Sequence, residues 1–225
     1  MYGLAGERRL TELELSWLPG YQGARPVRIG NAASNQFQLD VYGEVIDALY
    51  HARAQGLEAE PAGWAMARVL MNFLATAWEK PDEGIWEVRG PRRHFTHSKV
   101  MAWVAVDRVI KAVENFGLEG PVESWRRLRT AIHEQVCRQG FEAELGAFVQ
   151  SYGSKDLDAS LLMIPLVGFL PPTDPRVRGT VDAIQRHLMR DGFVERYTTK
   201  PAVDGLPAGE GAFLPCTFWL ADALV

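Results

Sequence analysis

Between residues 97 and 116 apolar side chains fall almost all round a helix, through Val100, Met101, Trp103, Val104, Val106, Val109 and Ile110. A helix without a polar face must be covered on every side, so this segment predicts a buried helix and a fold large enough to wrap it. The next helix, opened by Pro121, is its opposite. It keeps a narrow stripe of Trp125, Leu128, Ile132 and Val136, with Arg126, Arg127, Arg129 and Glu134 on the rest of its surface. The contrast then repeats. Residues 157–167 are apolar on every face, whereas the helix that Asp174 caps and Pro175 opens shows only Val177, Val181, Ile184 and Leu188.

Two helices precede this set. One carries Tyr42, Val45, Ile46, Leu49 and Tyr50 and stops near Gly56; the other starts at Pro61 and carries Ala67, Leu70, Met71, Leu74 and Trp78. The second is more apolar than an outer helix should be. A seventh helix starts at Phe213 and is broadly apolar through Phe218, Trp219 and Leu220. Strand-like alternation is scarce, and short candidates such as 193–198 carry charge, so an all-α fold is expected, with an inner layer of helices wrapped by an outer one. Seven helices leave the inner ring open, and the chain stops inside an apolar pattern, LADALV, with no capping signal. The expectation is one domain, residues 1–225, forming part of a larger toroid and cut at both ends.

Composition removes several alternatives. Hydrophobic residues make up 47% and charged residues 23% of the 225, so disorder is not the main state. No apolar run reaches the roughly 18 residues of a membrane span, and a net charge of −4 lacks the basic footprint of a nucleic-acid binder. Neither membrane nor nucleic acid is therefore expected as a partner. Cys137 and Cys216 stand alone, and Glu7, Arg8 and Arg9 occupy the place of a signal peptide's apolar core, which points to the cytoplasm. His51, His94, His97, His133 and His187 form no metal pattern, and phosphate-loop, dinucleotide and serine-hydrolase signatures are missing, so no metal or cofactor is expected.

The polar clusters are informative by position. Residues 30–40, 81–99, 152–158 and 194–211 each sit just before a helix that reads as inner, which places them at one end of the layer. Helix N-termini there present N–H groups and positive dipole ends to a hydroxyl-rich or anionic ligand. In the second cluster Glu87 follows Trp86 and lies near Arg89, Arg92 and Arg93. An aromatic wall favours a protonated carboxyl and gives a sugar ring a face to stack on, which is the company of an acid catalyst. Trp86 as a core plug, with Glu87 paired to an arginine, is the structural alternative. Glu210, between two glycines at the head of the seventh helix, and Asp156 and Asp158 before the fifth, also read as helix caps.

Four long segments then become specific: GERRLTELELSWLPGYQGARPVRIGNAASNQFQLDVYGEVIDAL, PDEGIWEVRGPRRHFTHSKVMAWVAVDR, LDASLLMIPLVGFLPPTDPRV and LPAGEGAFLPCTFWLADAL. Together they resemble bacterial members of glycoside hydrolase family 15, the glucoamylase and trehalase family. The resemblance implies an incomplete (α/α)6 barrel and hydrolysis of terminal α-glucosidic bonds with inversion, by one acid and one base. It implies Glu87 as general acid with Trp86 shaping the sugar site, Arg196 of the RY pair as a glucose-holding residue, and Glu210 as a sugar-hydroxyl acceptor. The implied substrate is a small α-glucoside: trehalose, maltose or maltodextrin.

Two departures qualify this. The family's general base, from an acidic pair followed by tyrosine and aspartate, has no counterpart before Val225, and an arginine-aspartate pair that normally precedes the first segment is also missing. The isolated chain is therefore expected to be inactive and prone to aggregate. Val88 stands where fungal glucoamylases place a second acidic residue, which shifts the leaving-group site away from that of a starch-chain enzyme. A helical carbohydrate-binding or scaffolding module without catalysis is the alternative function.

Overall fold

The computed structural model describes residues 3–57, 61–198 and 212–225, in two compact units, Met1–Phe37 and Gln38–Val225. Its α-helices are α1 (Asp40–Ala54), α2 (Pro61–Ala77), α3 (Thr96–Phe116), α4 (Val122–Gln139), α5 (Met163–Leu166), α6 (Pro175–Leu188) and α7 (Leu214–Ala223). Three antiparallel pairs of two-residue strands accompany them: β1 (Leu13–Glu14) with β2 (Arg28–Ile29), β3 (Phe141–Glu142) with β4 (Ala147–Phe148), and β5 (Met189–Arg190) with β6 (Phe193–Val194). The last pair uses the charged segment that sequence reading discounted, as a hairpin that turns the chain back at the end of α6.

The smaller unit contains no α-helix among its described residues. Its strands pair Leu13 with Ile29 and Glu14 with Arg28, and Arg28 also bridges Glu14 at 2.9 Å and Glu12 at 3.2 Å.

In the larger unit α3 is the spine. Every residue from Thr96 to Ile110 is buried, as its all-round apolar pattern requires. The helix ends where Gly117 takes φ 67° and gives its N–H to Val113 O, a left-handed cap that favours glycine. α1 lies along α3 so closely that a Cβ at Gly43 would stand 2.3 Å from the Met101 carbonyl oxygen. α4 flanks another side of α3 and buries Trp125, Ile132 and Val136 from its narrow stripe. α6 buries Val177, Val181, Ile184 and Leu188, and the Asp174 side chain accepts from Arg176 N, the cap read from sequence. Two of the charges that α3 carries inward, Asp107 and Arg108, are paired. Arg108 donates to Asp47 at 2.6 Å, to Asp107 at 2.7 Å and to Val167 O at 2.9 Å.

Two expectations need correction. Residues 157–167 do not form one regular helix: a 3-10 turn, Ala159–Leu162, leads into the single turn of α5. The Asp158 side chain draws the tight turn by accepting from Ser160 N, and Pro165 has no N–H to extend the ladder. The reading of α1 and α7 as inner or buried members holds for one side of each. α1 buries Asp40, Gly43 and Ile46 but exposes Val41, Val45 and Leu49, and α7 buries Cys216 and Leu220 but leaves Phe218 67% exposed. Apolar periodicity records what a helix is able to bury, and burial needs a neighbour on that side. No described helix is long and apolar enough to cross a membrane.

Candidate active site

The loop between α2 and α3 is closed at its neck. Asp82 and Arg93 exchange N–H···O bonds of 2.9 Å in both directions, so residues 82–93 leave and return at one point. The Asp82 carboxylate, with no exposed surface, ties that neck to the start of α1 by accepting from Leu39 N at 3.1 Å and from Gly84 N at 3.2 Å. Gly84 holds φ 70°, and a Cβ there would stand 2.8 Å from the Phe95 ring. The fully buried Lys99 donates to the carbonyl oxygens of Trp78 at 2.5 Å and Lys80 at 2.6 Å, which satisfies groups left open past the end of α2.

Three titrations are displaced around this neck. Burial, reinforced by the charge of Asp82, pushes Asp40 up to about 7. Burial also raises Asp82, against the N–H groups and the Lys99 ammonium that favour its anion. Lys99 falls to about 8 because burial outweighs the pull of Asp82 and Glu79.

Trp86 and Glu87 lie inside the pinched loop, each half-buried. Glu87 adopts φ 52°, a left-handed conformation that a non-glycine residue holds only where its surroundings impose it, and its N–H donates to Gly84 O at 3.2 Å. The side-chain amide of Gln38, two residues before α1, donates to Glu87 Oε1 at 3.4 Å. Of the arginines that sequence placed near Glu87, Arg92 pairs with Glu83 at 2.9 Å and Arg93 serves the neck through its main chain.

The Trp86 ring is the centre of an aromatic cluster, with centroids 5.9 Å from Phe213, 6.2 Å from Trp219 and 6.4 Å from Tyr197. The Arg196 guanidinium stands 5.4 Å over its face, in cation–π range. The indole N–H donates to both carboxylate oxygens of Asp158 at 3.0 Å. Gln38, the pinched loop, Asp158 and Arg196 therefore converge from the four polar clusters that sequence placed at one end of the helices.

The structure thus brings Trp86, Glu87 and Arg196 together, while Glu210 lies outside the described residues. Sequence reasoning missed Gln38, gave no role to Tyr197 of the RY pair, and gave Asp158 a cap alone. No local signal marks them, because their partners lie far along the chain. His94 and His97, three apart, separate: His94 stacks on Tyr152 at 5.9 Å, and burial drives His97 down to about 4, so it is neutral. An indole with a guanidinium over its ring, followed in the chain by a half-buried carboxyl, is a set of groups able to bind a hydroxyl-rich ring.

Solved structures place this architecture. A wild-type glycosidase matches with a TM-score of 0.72 at 23% identity, covering 92% of this chain and 55% of its own. A glycosidase variant in complex with glucose matches with the same TM-score at 24% identity and the same coverage. The shared fold is of the (α/α)6-barrel type. Residues 1–225 match the family model of glycosyl hydrolases family 15, and the chain belongs to that family. It is 47% identical to a trehalase of Mycobacterium tuberculosis over 226 residues, covering all of this chain and 33% of the relative. It is 37% identical to a trehalase of Thermoplasma volcanium, covering 97% of this chain and 34% of the relative. The chain spans about a third of the length of these curated relatives.

Proposed function

We propose that these residues form part of the catalytic domain of an inverting glycoside hydrolase acting on terminal α-glucosidic bonds. The observation that carries this reading is the half-buried Glu87 in a loop pinched at Asp82–Arg93, beside a Trp86 ring with the Arg196 guanidinium 5.4 Å over it. In this reading Glu87 is the general acid and gives its proton to the leaving glycosidic oxygen. The indole face supports the glucose ring, Arg196 fixes its hydroxyls, and Glu210 is a further hydroxyl acceptor. In this reading no residue of the 225 is assigned as the carboxylate that activates water. Trehalose is the substrate favoured within the class that also includes maltose and maltodextrin, on the strength of relatives named trehalase.

The experiment is Glu87→Gln in the whole protein that carries this region, with glucose release from trehalose and from maltose as the readout. Gln keeps the shape and removes the transferable proton, so kcat should fall roughly 10²–10⁴-fold while the protein stays folded. Turnover within tenfold of wild type on both sugars would remove Glu87 from the mechanism.

A further inference from the structure

Asp158 is 2% exposed and is bound far beyond what a turn requires. The turn itself uses Ser160 N at 2.8 Å and Ser160 Oγ at 2.7 Å, both on Oδ1. Gln150 Nε2 adds a bond to Oδ2 at 2.9 Å, and the Trp86 indole reaches both oxygens at 3.0 Å. Burial raises the Asp158 titration, against the hydrogen bonds from Ser160, Gln150 and Trp86. Each of these groups is a donor to it, a set that favours the acceptor-only carboxylate anion.

The supports of this carboxylate are themselves fixed. Gln150 O accepts from Thr96 N at 2.9 Å, and Val149 O accepts from Thr96 Oγ1 at 2.6 Å, which joins that segment to the first residue of α3. The main chain at Asp158 works in the opposite direction. Asp158 forms a β-bridge with Tyr197, and Ala159 N donates to Arg196 O at 2.8 Å. One residue therefore holds the Trp86 ring by its side chain and the Arg196 segment by its backbone.

An indole held by van der Waals contact alone rotates in a broad well about its second torsion. An N–H bonded to a buried anion is held roughly twice as strongly as by a neutral acceptor. We propose that Asp158 is a positioning residue that fixes the plane of the Trp86 ring beneath the Arg196 guanidinium, so that the sugar platform is formed before substrate arrives. This rests on the reading of Trp86 and Glu87 given above and adds the group that orients them.

The test is a double-mutant cycle in the whole protein carrying this region, with Asp158→Asn, Trp86→Phe and the pair. Phe keeps a ring and removes the N–H; Asn keeps one acceptor oxygen. Each single variant should lose about tenfold in kcat/KM for trehalose, and the double variant should lose no more than about threefold beyond either, because both remove one interaction. A double variant at the product of the two losses, or an Asp158→Asn variant within twofold of wild type, overturns the proposal.

A second readout needs no turnover. The indole N–H resonance that disappears in Trp86→Phe should be slow to exchange with solvent in the parent protein and at least tenfold faster in Asp158→Asn. An unchanged rate overturns the proposal even if Asp158→Asn weakens the fold. Glu87→Gln in the same series separates the two ideas. Full activity there defeats the acid assignment, whereas uncoupled Asp158 and Trp86 alongside an inactive Glu87→Gln defeat only the positioning role.

Discussion

Asp82 and Asp158 are two buried aspartates that hold the same pinched loop, one at its neck and one at Trp86, and they are bound by different kinds of group. Asp82 accepts from the main-chain N–H groups of Leu39 and Gly84, with the Lys99 charge in its field, so what it fixes is the path of the chain. Asp158 accepts from side chains of Trp86, Gln150 and Ser160 as well as from one main-chain N–H, so what it fixes is the plane of a ring. The difference teaches that the pinched loop has separate supports for its backbone and for its working side chain. Loss of the first should cost folding, and loss of the second should cost activity more than folding.

The largest expected effect is therefore Asp82→Ala. It leaves two buried N–H groups unsatisfied and removes the anion beside a buried ammonium, which should cost about 3–5 kcal/mol of stability in urea unfolding. Asp158→Asn, which keeps an acceptor, should cost about 1–2 kcal/mol in the same assay. Equal losses would erase the contrast between the two residues.

Asp40, whose carboxyl oxygen Oδ1 has no hydrogen-bond partner among the described residues, sharpens the Asp82 side through pH. Its folded-state titration lies at about 7, against 3.8 unperturbed, so folding favours the protonated form. That contribution is fully present below the unfolded value and disappears as pH rises through the folded one. Asp40→Asn should match wild type near pH 4 and exceed it above pH 7 by about 2 kcal/mol. Parallel stability curves across this range would mean that Asp40 is ionised at little cost.

Gly84→Ala combines a φ of 70° with a Cβ 2.8 Å from the Phe95 ring. It should cost about 1–2 kcal/mol and displace the Glu87 turn, with activity falling more than stability alone explains. A variant as stable and as active as its parent would show that the neck tolerates movement. The smallest effect belongs to α7: Phe218→Ser, at a side chain 67% exposed, should change stability by less than about 0.5 kcal/mol in this chain. A larger loss would indicate a contact that the present chain uses.

Much of the fold is written locally. The bounds of α2 follow from Pro61 and the apolar spacing to Trp78, those of α3 from the unbroken pattern that Gly117 closes, and those of α6 from Asp174 and Pro175. The break at 157–167 has a local cause too: the Asp158 side chain draws a tight turn and Pro165 lacks an N–H, neither of which an all-round apolar pattern registers. The candidate site was legible at Trp86 and Glu87 from their place in a polar loop, and at Arg196 only because long segments resemble a family. Physical reading left Trp86 as a core plug, with Glu87 paired to an arginine, as the alternative.

By itself the sequence determined which segments coil, which faces are able to be buried, and which residue types stand before the helices, because those properties depend on neighbours within a turn or two. Tertiary structure alone decided that Gln38 meets Glu87 across 49 positions and that Trp86 meets Asp158 across 72. Such pairings carry no local pattern. They exist because α1, the pinched loop and the turn at Asp158 are each held by the packing around α3 at distances where a hydrogen bond outweighs the freedom lost in making it.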